Sequence, residues 1–359
     1  MRLALKEARK GLGRTSPNPC VGAVIVKNDE VIAKGYHEKA GTAHAEIQAI
    51  RNASQSTVGT TIYVTLEPCN HTGKTPPCSQ ALLQAGFARV VVGMTDPNPL
   101  VNGGGIAFLQ SNGIEVTSGV LEPECRALNF PFIKHITQGM PWTIMKAGVS
   151  LDGRLNYLHG HSGWITGEKS TRAAHKLRNT VDAILVGRNT VEIDNPSLTT
   201  RLSRGRSHDP IRIILDSDLS TSLDSKVYHL DSPAPTWVVC ATDAPELKKN
   251  EFAGLGIRLI GIDRNEKGLD LPLLLKMLGR ENICSVLVEG GARLHGAFLR
   301  EKLFDYAHLF YAPLFAGDRG VPLIEGYQVE NRLAAPRLVH LSRKPLGDDI
   351  LLSGQLSYP

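Results

Sequence analysis

Pro68-Cys69-Asn70-His71-Thr72-Gly73-Lys74-Thr75-Pro76-Pro77-Cys78 lies between a β-branched apolar run, Thr61–Leu66 (TIYVTL), and a helical pattern over Ser79–Ala85. The spacing predicts that Cys69 closes a buried strand and that Cys78 opens a helix. Upstream, His44-Ala45-Glu46 opens a second helical pattern, His44–Arg51. A lone H-x-E, a Pro-Cys dipeptide or a single Cys says little, because a buried Cys is ordinarily a small hydrophobe. Together, one imidazole and two thiols at strand–helix junctions make a donor set for zinc, with a fourth position left for water.

An open fourth position belongs to a catalytic site rather than a structural one, and zinc makes hydroxide available from such a water near neutral pH. Glu46 is too close in sequence to His44 to serve as a fourth ligand. It is placed instead to take the proton of the water and hand it to a ring nitrogen and a departing amine. Nucleobase deaminases carry H-x-E followed by P-C-x-x-C. This chain departs from that pattern, with eight residues, Asn70 to Pro77, between the cysteines. The expectation is a zinc-dependent aminopyrimidine deaminase in the amino-terminal part. Cys20, Cys125, Cys240 and Cys284 fall in strand or helix patterns and read as structural.

Around this core the chain alternates strand and helix signals. Val21–Val26, Thr61–Leu66 and Arg89–Gly93 read as buried strands, and MRLALKEARKG reads as a short amphipathic helix rather than a signal peptide. Such alternation argues for an α/β layered domain with a largely parallel or mixed sheet. Leu121–Gly139 reads as a helix running into a connection, and Gly139 with Pro141 marks the boundary. The expected domains are therefore 1–139 and 140–359. In the second, the strand candidates are Trp142–Lys146, Ala183–Val186, Ile211–Leu215, Thr236–Cys240, Arg258–Gly261, Ser285–Glu289 and His308–Tyr311. Glu168–Asn179, Leu271–Leu278 and Arg293–Arg300 read as helices over a twisted sheet.

A length of 359 residues suits two domains, and a net charge of +5 suits an anionic small molecule better than nucleic acid. Arg201–Arg206 (RLSRGR) is the densest basic run and reads by default as a solvated loop. Between His37 and Gly93 the aromatics are Tyr63 and Phe87, too few for stacking a base of RNA or DNA. No apolar stretch nears the ~18 residues of a membrane span. Six cysteines without a dense framework fit a reducing compartment, so a cytoplasmic location is expected.

The eleven-residue insert Pro68–Cys78 closely resembles the deaminase half of the bifunctional riboflavin-biosynthesis deaminase/reductase family. Further matching stretches are Pro17-Asn18-Pro19, Gly35-Tyr36-His37, Ala40-Gly41 before HAE, and Asp96-Pro97-Asn98-Pro99. The resemblance continues with Lys146, Ser150-Leu151-Asp152-Gly153-Arg154, Trp164-Ile165-Thr166 and Val288-Glu289-Gly290-Gly291, and so spans nearly the whole chain. It implies a cytidine-deaminase-like three-layer domain followed by an α/β domain resembling dihydrofolate reductase. It also implies two reactions on 2,5-diamino-6-ribosylamino-4(3H)-pyrimidinone 5′-phosphate: hydrolysis of the 2-amino group, then NADPH reduction of the ribosyl chain to ribityl. Homo-oligomerisation is part of this reading.

By the resemblance, His44, Cys69 and Cys78 hold Zn2+, and Glu46 moves the proton. Asn18, His37 and Lys74 contact base or phosphate, although Asn18 reads equally as turn chemistry between two prolines. Gly148, Trp164, Thr190, Asp194 and Ser217 contact NADPH, together with the turn Gly291, Ala292, Arg293, Leu294 and His295. Substrate contacts are Ser162, Arg178, Leu198, Arg201 and Glu289, with the guanidinium forks of Arg178 and Arg201 suited to the 5′-phosphate. Singly, Trp164 reads as a half-buried core aromatic and Arg178 as a helix-end charge offsetting the macrodipole. The Gly290-Gly291 pair alone is a plain strand–helix turn, and no GxGxxG fingerprint is present. Lys146 and a water are both candidates for the proton donor of the reduction. A rival reading makes the second domain a non-catalytic oligomerisation or ligand-sensing module.

Overall fold

The computed structural model describes residues 1–70, 76–98, 104–202, 207–266 and 268–359. The chain divides into two compact units, Met1–Met140 and Pro141–Pro359.

In the first unit the order is α1 (Arg2–Ala8), β1 (Gly22–Lys27), β2 (Glu30–Tyr36), α2 (Ala45–Arg51), β3 (Thr61–Leu66), α3 (Cys78–Gln84) and β4 (Arg89–Met94). It continues with α4 (Gly104–Ser111), β5 (Glu115–Thr117), α5 (Glu122–Leu128) and α6 (Phe130–Gln138). The strands form a five-stranded mixed sheet in the order β2-β1-β3-β4-β5. β1 is antiparallel to β2 and β3, while β3, β4 and β5 run parallel. The β1–β2 hairpin closes on Asn28 and Asp29, both left-handed at φ 47° and 64°, the backbone that short hairpin turns demand.

Two glycines fix the layering. A Cβ on Gly22 would lie 2.1 Å from Ala4 O of α1, and one on Gly35 would lie 2.4 Å from Ala45 O of α2. Because Gly22 pairs with Tyr36, and Gly35 with Ala23, the two glycines face opposite sides of the pleat. Helices therefore cover both faces, and Ile25, Ile62, Val64, Leu82, Val90 and Leu109 fill the interior.

The expected helix over Leu121–Gly139 is two helices. Asn129 breaks it, at φ −113° and ψ 14°. Its buried amide is drawn aside to Cys20, accepting from the backbone N at 2.8 Å and donating to the carbonyl at 3.1 Å. Pro131 then starts the next helix, where a missing N–H costs nothing.

The second unit contains β6 (Trp142–Val149), α7 (Glu168–Arg178), β7 (Ala183–Gly187), α8 (Arg188–Asp194), β8 (Ile211–Leu215), β9 (Thr236–Ala241), α9 (Glu246–Gly254) and β10 (Arg258–Ile262). After a small ribbon, β11 (Arg264–Asn265) and β12 (Gly268–Leu269), come α10 (Leu271–Arg280), β13 (Ser285–Val288), α11 (Ala292–Arg300) and β14 (Tyr306–Tyr311). β15 (Arg337–Leu346) and β16 (Asp349–Ser357) complete the unit. Nine strands form one sheet in the order β10-β9-β8-β7-β13-β6-β14-β16-β15. From β10 to β14 all neighbours are parallel, and β16 is antiparallel to β14 and β15.

The parallel strands β7 and β13 are buried on both faces, which is why they read as unbroken apolar runs. β13 returns between β7 and β6, so the strand order reverses there, and a crevice opens beyond the carboxyl ends of the strands. Asp182 ties the start of β13, its Oδ2 accepting from the backbone N of Cys284 and Ser285, each at 2.9 Å.

Asn129→Ala removes the bonds to both polar groups of the buried Cys20 backbone. The expected cost is about 1–3 kcal/mol in the stability of the first unit, read from its denaturant midpoint; an unchanged midpoint contradicts this account of the break.

Candidate active sites

His44 is the N-cap of α2, Cys69 follows β3, and Cys78 is the first residue of α3. His44 Nδ1 lies 3.1 Å from Cys78 Sγ and 3.7 Å from Cys69 Sγ, and the three donor atoms all fall within 4.8 Å of one another. The backbone N–H of Cys78 points at Cys69 Sγ over 3.3 Å. Hydrogen bonding from the Cys78 thiol, aided by His44, lowers the Cys69 thiol. The Cys78 thiol, donating to Cys69 and buried, is pushed up. Two thiolates this close need a cation among the three donors. That demand, with one nitrogen and two soft sulfurs, fits zinc.

Glu46 is 3% exposed, and burial raises its carboxyl above the ordinary value. Beside the cluster lies His37, 3% exposed, its ring edge-on to His44 at a centroid distance of 5.6 Å. His37 Nδ1 bonds Ala43 O at 3.2 Å and Nε2 bonds Asn18 Nδ2 at 3.1 Å. Burial keeps this imidazole neutral, so Nδ1 donates to the carbonyl and Nε2 accepts from the Asn18 amide. Asn18 is also turn chemistry, its backbone N donating to Thr15 O at 2.8 Å. Lys74 lies outside the described residues.

Glu67 escaped the sequence reading. It is buried next to Pro68-Cys69 and accepts from the backbone N of Asp96, Gly105 and Ile106 at 3.0–3.2 Å. Asp96 and the start of α4 are thereby held beside Pro68-Cys69. An acidic residue at the end of an apolar strand, Leu66-Glu67-Pro68-Cys69, was the available signal.

The second unit has a cleft of about 1320 Å³ above the carboxyl ends of its strands. It brings together Gly148, Trp164, Thr190, Asp194 and Ser217, and the turn Gly291 to Leu294. Ser162, Arg178, Leu198, Arg201 and Glu289 line the same cleft. Trp164 is 66% exposed, so it is no core aromatic.

His295 does not belong with them. Its side chain is 0% exposed, Nδ1 bonds Leu323 O at 3.1 Å, and its backbone N is spent on Gly291 O. On a helix that packs against the sheet, the fourth residue after Gly291 turns inward.

Arg178 also differs from expectation. Its Nε and Nη2 grip the two Glu289 oxygens at 2.7 and 2.9 Å, and Nη1 bonds Thr199 O at 3.1 Å. The fork expected to take phosphate is filled by a carboxylate. Lys146 Nζ completes a buried triad, 3.2 Å from Glu289. Burial alone would raise the Glu289 carboxyl, but the Arg178 and Lys146 cations outweigh it and hold the group well below the carboxylate range. His175, not singled out in the sequence, accepts from the Arg201 backbone N at 3.2 Å; burial and the Arg178 and Arg201 charges push it down to about 4.

Glu289→Gln leaves two buried cations facing each other. The expected loss is about 3 kcal/mol of stability in the second unit near neutral pH. Because the folded carboxyl is depressed, this difference is full above the ordinary carboxylate pKa and fades as pH falls below it. A thermal midpoint equal to wild type at pH 7 contradicts the triad.

A family profile for the RibD C-terminal domain matches residues 141–352, and one for the cytidine and deoxycytidylate deaminase zinc-binding region matches residues 1–94. The riboflavin biosynthesis protein RibD of Bacillus amyloliquefaciens is 40% identical, over 98% of this chain and 94% of that protein. Among solved structures, Acinetobacter baumannii RibD superposes with TM-score 0.88 at 36% identity, covering 99% of this chain and 97% of that one. A Thermotoga maritima diaminohydroxyphosphoribosylaminopyrimidine deaminase/5-amino-6-(5-phosphoribosylamino)uracil reductase gives 0.87 at 35%, covering 100% and 97%.

Proposed function

The chain belongs to the RibD family of bifunctional riboflavin-biosynthesis enzymes, and from that membership we propose how its residues divide the two reactions. It is a zinc-dependent deaminase and an NADPH-dependent reductase. It hydrolyses the 2-amino group of 2,5-diamino-6-ribosylamino-4(3H)-pyrimidinone 5′-phosphate, releasing ammonia, and then reduces the ribosyl chain to ribityl. In our reading residues 1–139 carry the first step and residues 140–359 the second.

His44, Cys69 and Cys78 hold the zinc; the observation that carries this is the meeting of their donor atoms within 4.8 Å. Zinc, when bound, supplies a Lewis acid that brings the attacking water toward ionisation at neutral pH. Glu46 accepts the proton of that water and delivers it to the ring nitrogen and then to the departing ammonia, a task its raised carboxyl favours. Asn18, aimed by neutral His37, orients the pyrimidine. Lys74 contacts the same substrate.

In the second unit NADPH supplies the hydride, and the cleft supplies positioning. Gly148, Trp164, Thr190, Asp194, Ser217 and the turn Gly291–Leu294 hold the cofactor. Ser162, Leu198 and Glu289 shape the substrate end. With Arg178 occupied by Glu289, Arg201 reads the 5′-phosphate: its guanidinium has no carboxylate partner among the described residues. Lys146, fixed by Glu289, is the group placed to protonate the ring oxygen as the ribosyl ring opens.

In our reading the substrate is a free small molecule rather than a nucleic acid: of the two aromatics between His37 and Gly93, Tyr63 is half-buried on β3 and Phe87 is 3% exposed, which leaves no stacking platform. Free cysteines throughout the described residues support a cytoplasmic location. Exposed Val339, Leu341 and Ile350 on the β15–β16 hairpin support a homo-oligomer.

Glu46→Gln should keep zinc bound, lose at least about a hundredfold in ammonia release, and still reduce supplied deaminated intermediate with NADPH. Undiminished ammonia release, or equal loss of both steps, sinks the assignment.

A further inference from the structure

One guanidinium in the carboxy-terminal cleft has neither a carboxylate partner among the described residues nor a part in the chemistry above. Arg188 is the first residue of α8, directly after β7; it is exposed and lines the cleft. Its Nη1 donates to a neutral hydroxyl, Ser220 Oγ, at 2.7 Å. Ser220 donates in turn to Asp216 Oδ1 at 3.0 Å, and the Asp216 carboxylate, 1% exposed, is anchored by Thr221 N and Oγ1 at 2.7 and 2.9 Å. A fixed hydroxyl therefore aims the guanidinium, while its charge and its remaining donors stay uncommitted.

Its position sets what it can meet. β7 and β8 are parallel with Gly187 opposite Leu215, so Arg188 and Ser217 stand just past the carboxyl ends of adjacent strands. In the order β8-β7-β13-β6, Arg188 is two strand spacings and Ser217 three, about 10 and 14 Å, across the sheet from the strand that carries Lys146. A dinucleotide stretches along such a crevice. With the nicotinamide beside Lys146 and Glu289, the other nucleoside comes to Arg188 and Ser217. Leu269, paired across the small ribbon with Arg264, supplies an apolar wall at that end.

Proteins tell the two nicotinamide cofactors apart at this second ribose: an acid accepts from the 2′-hydroxyl of NADH, and an arginine grips the 2′-phosphate of NADPH. Both residue types are present. Asp218 lines the cleft, but Arg264 Nη2 holds its carboxylate at 2.5 Å, while Arg264 Nε pairs with Asp243 at 3.0 Å. The acid is engaged and Arg188 is not. We propose that Arg188, steadied by Ser220, reads the 2′-phosphate and makes this chain select NADPH over NADH. This rests on the reading of the cleft as the NADPH site.

The test is binding, independent of turnover: NADPH and NADH titrated by nicotinamide fluorescence, and 2′,5′-ADP by calorimetry, on full-length wild type, Arg188→Gln and Arg188→Lys. Arg188→Gln should weaken NADPH and 2′,5′-ADP roughly ten- to hundredfold, and NADH by less than about twofold. Arg188→Lys should keep part of the preference, since the charge remains without the fork. Equal weakening of NADPH and NADH would put Arg188 on the shared pyrophosphate and overturn the proposal. An unchanged NADPH to NADH ratio would overturn it as well, leaving discrimination to Asp218 or its neighbours. Wild type that fails to bind NADPH at all would remove the cleft reading itself, an outcome distinct from either.

Discussion

Two sulfurs and one imidazole nitrogen share a space less than 5 Å wide, and two thiolates held that close repel each other unless a cation lies between them. Everything in the first unit serves to bring these donors together. β3 and the helix starts of α2 and α3 deliver them, and Glu67 ties Asp96 and the start of α4 beside Pro68-Cys69. The close passages at Gly22 and Gly35 seat α1 and α2 tightly on the sheet. Burying the thiols raises the cost of leaving them ionised without a counter-charge, and that same cost becomes affinity once a dication is present. Glu46 sits in the same dry environment, where a carboxyl holds a proton more readily than in water.

The second unit poses a different problem: in our proposal one crevice takes two anionic molecules. Its parallel strands end together, and the reversal of strand order between β7 and β6 opens the space. Lys146 and Arg178 share a single carboxylate, so the triad leaves one net positive charge in the wall, with Arg201 nearby. The arrangement is rigid because both Glu289 oxygens are committed and the group is almost wholly buried. Positioning of this kind is what hydride transfer asks of a protein.

Short-range features were legible in the sequence. Strand–helix junctions announce themselves through β-branched runs followed by helix starts, so His44, Glu46, Cys69 and Cys78 could be read together from one line of text. The buried parallel strands were equally plain. The hairpin β15–β16 was missed because its first strand is largely exposed and carries Arg, Lys and Pro where alternation would show. α9, Glu246–Gly254, was missed because it is polar on most sides. The pairing of Arg178 with Glu289 spans 111 residues, and nothing local distinguishes a phosphate-binding arginine from one already held by a carboxylate. His295 lies apart from the cleft lining for a related reason, since a turn motif says which residues follow Gly291 but not which of them face inward.

The central claim is that this protein holds one zinc ion on His44, Cys69 and Cys78. Metal content with zinc-edge X-ray absorption on active protein tests it most directly. The account requires about one zinc per chain in a mixed nitrogen and sulfur shell with two sulfurs, and loss of one sulfur scatterer in Cys78→Ser. Fully active protein without zinc, or a shell lacking sulfur, would contradict it.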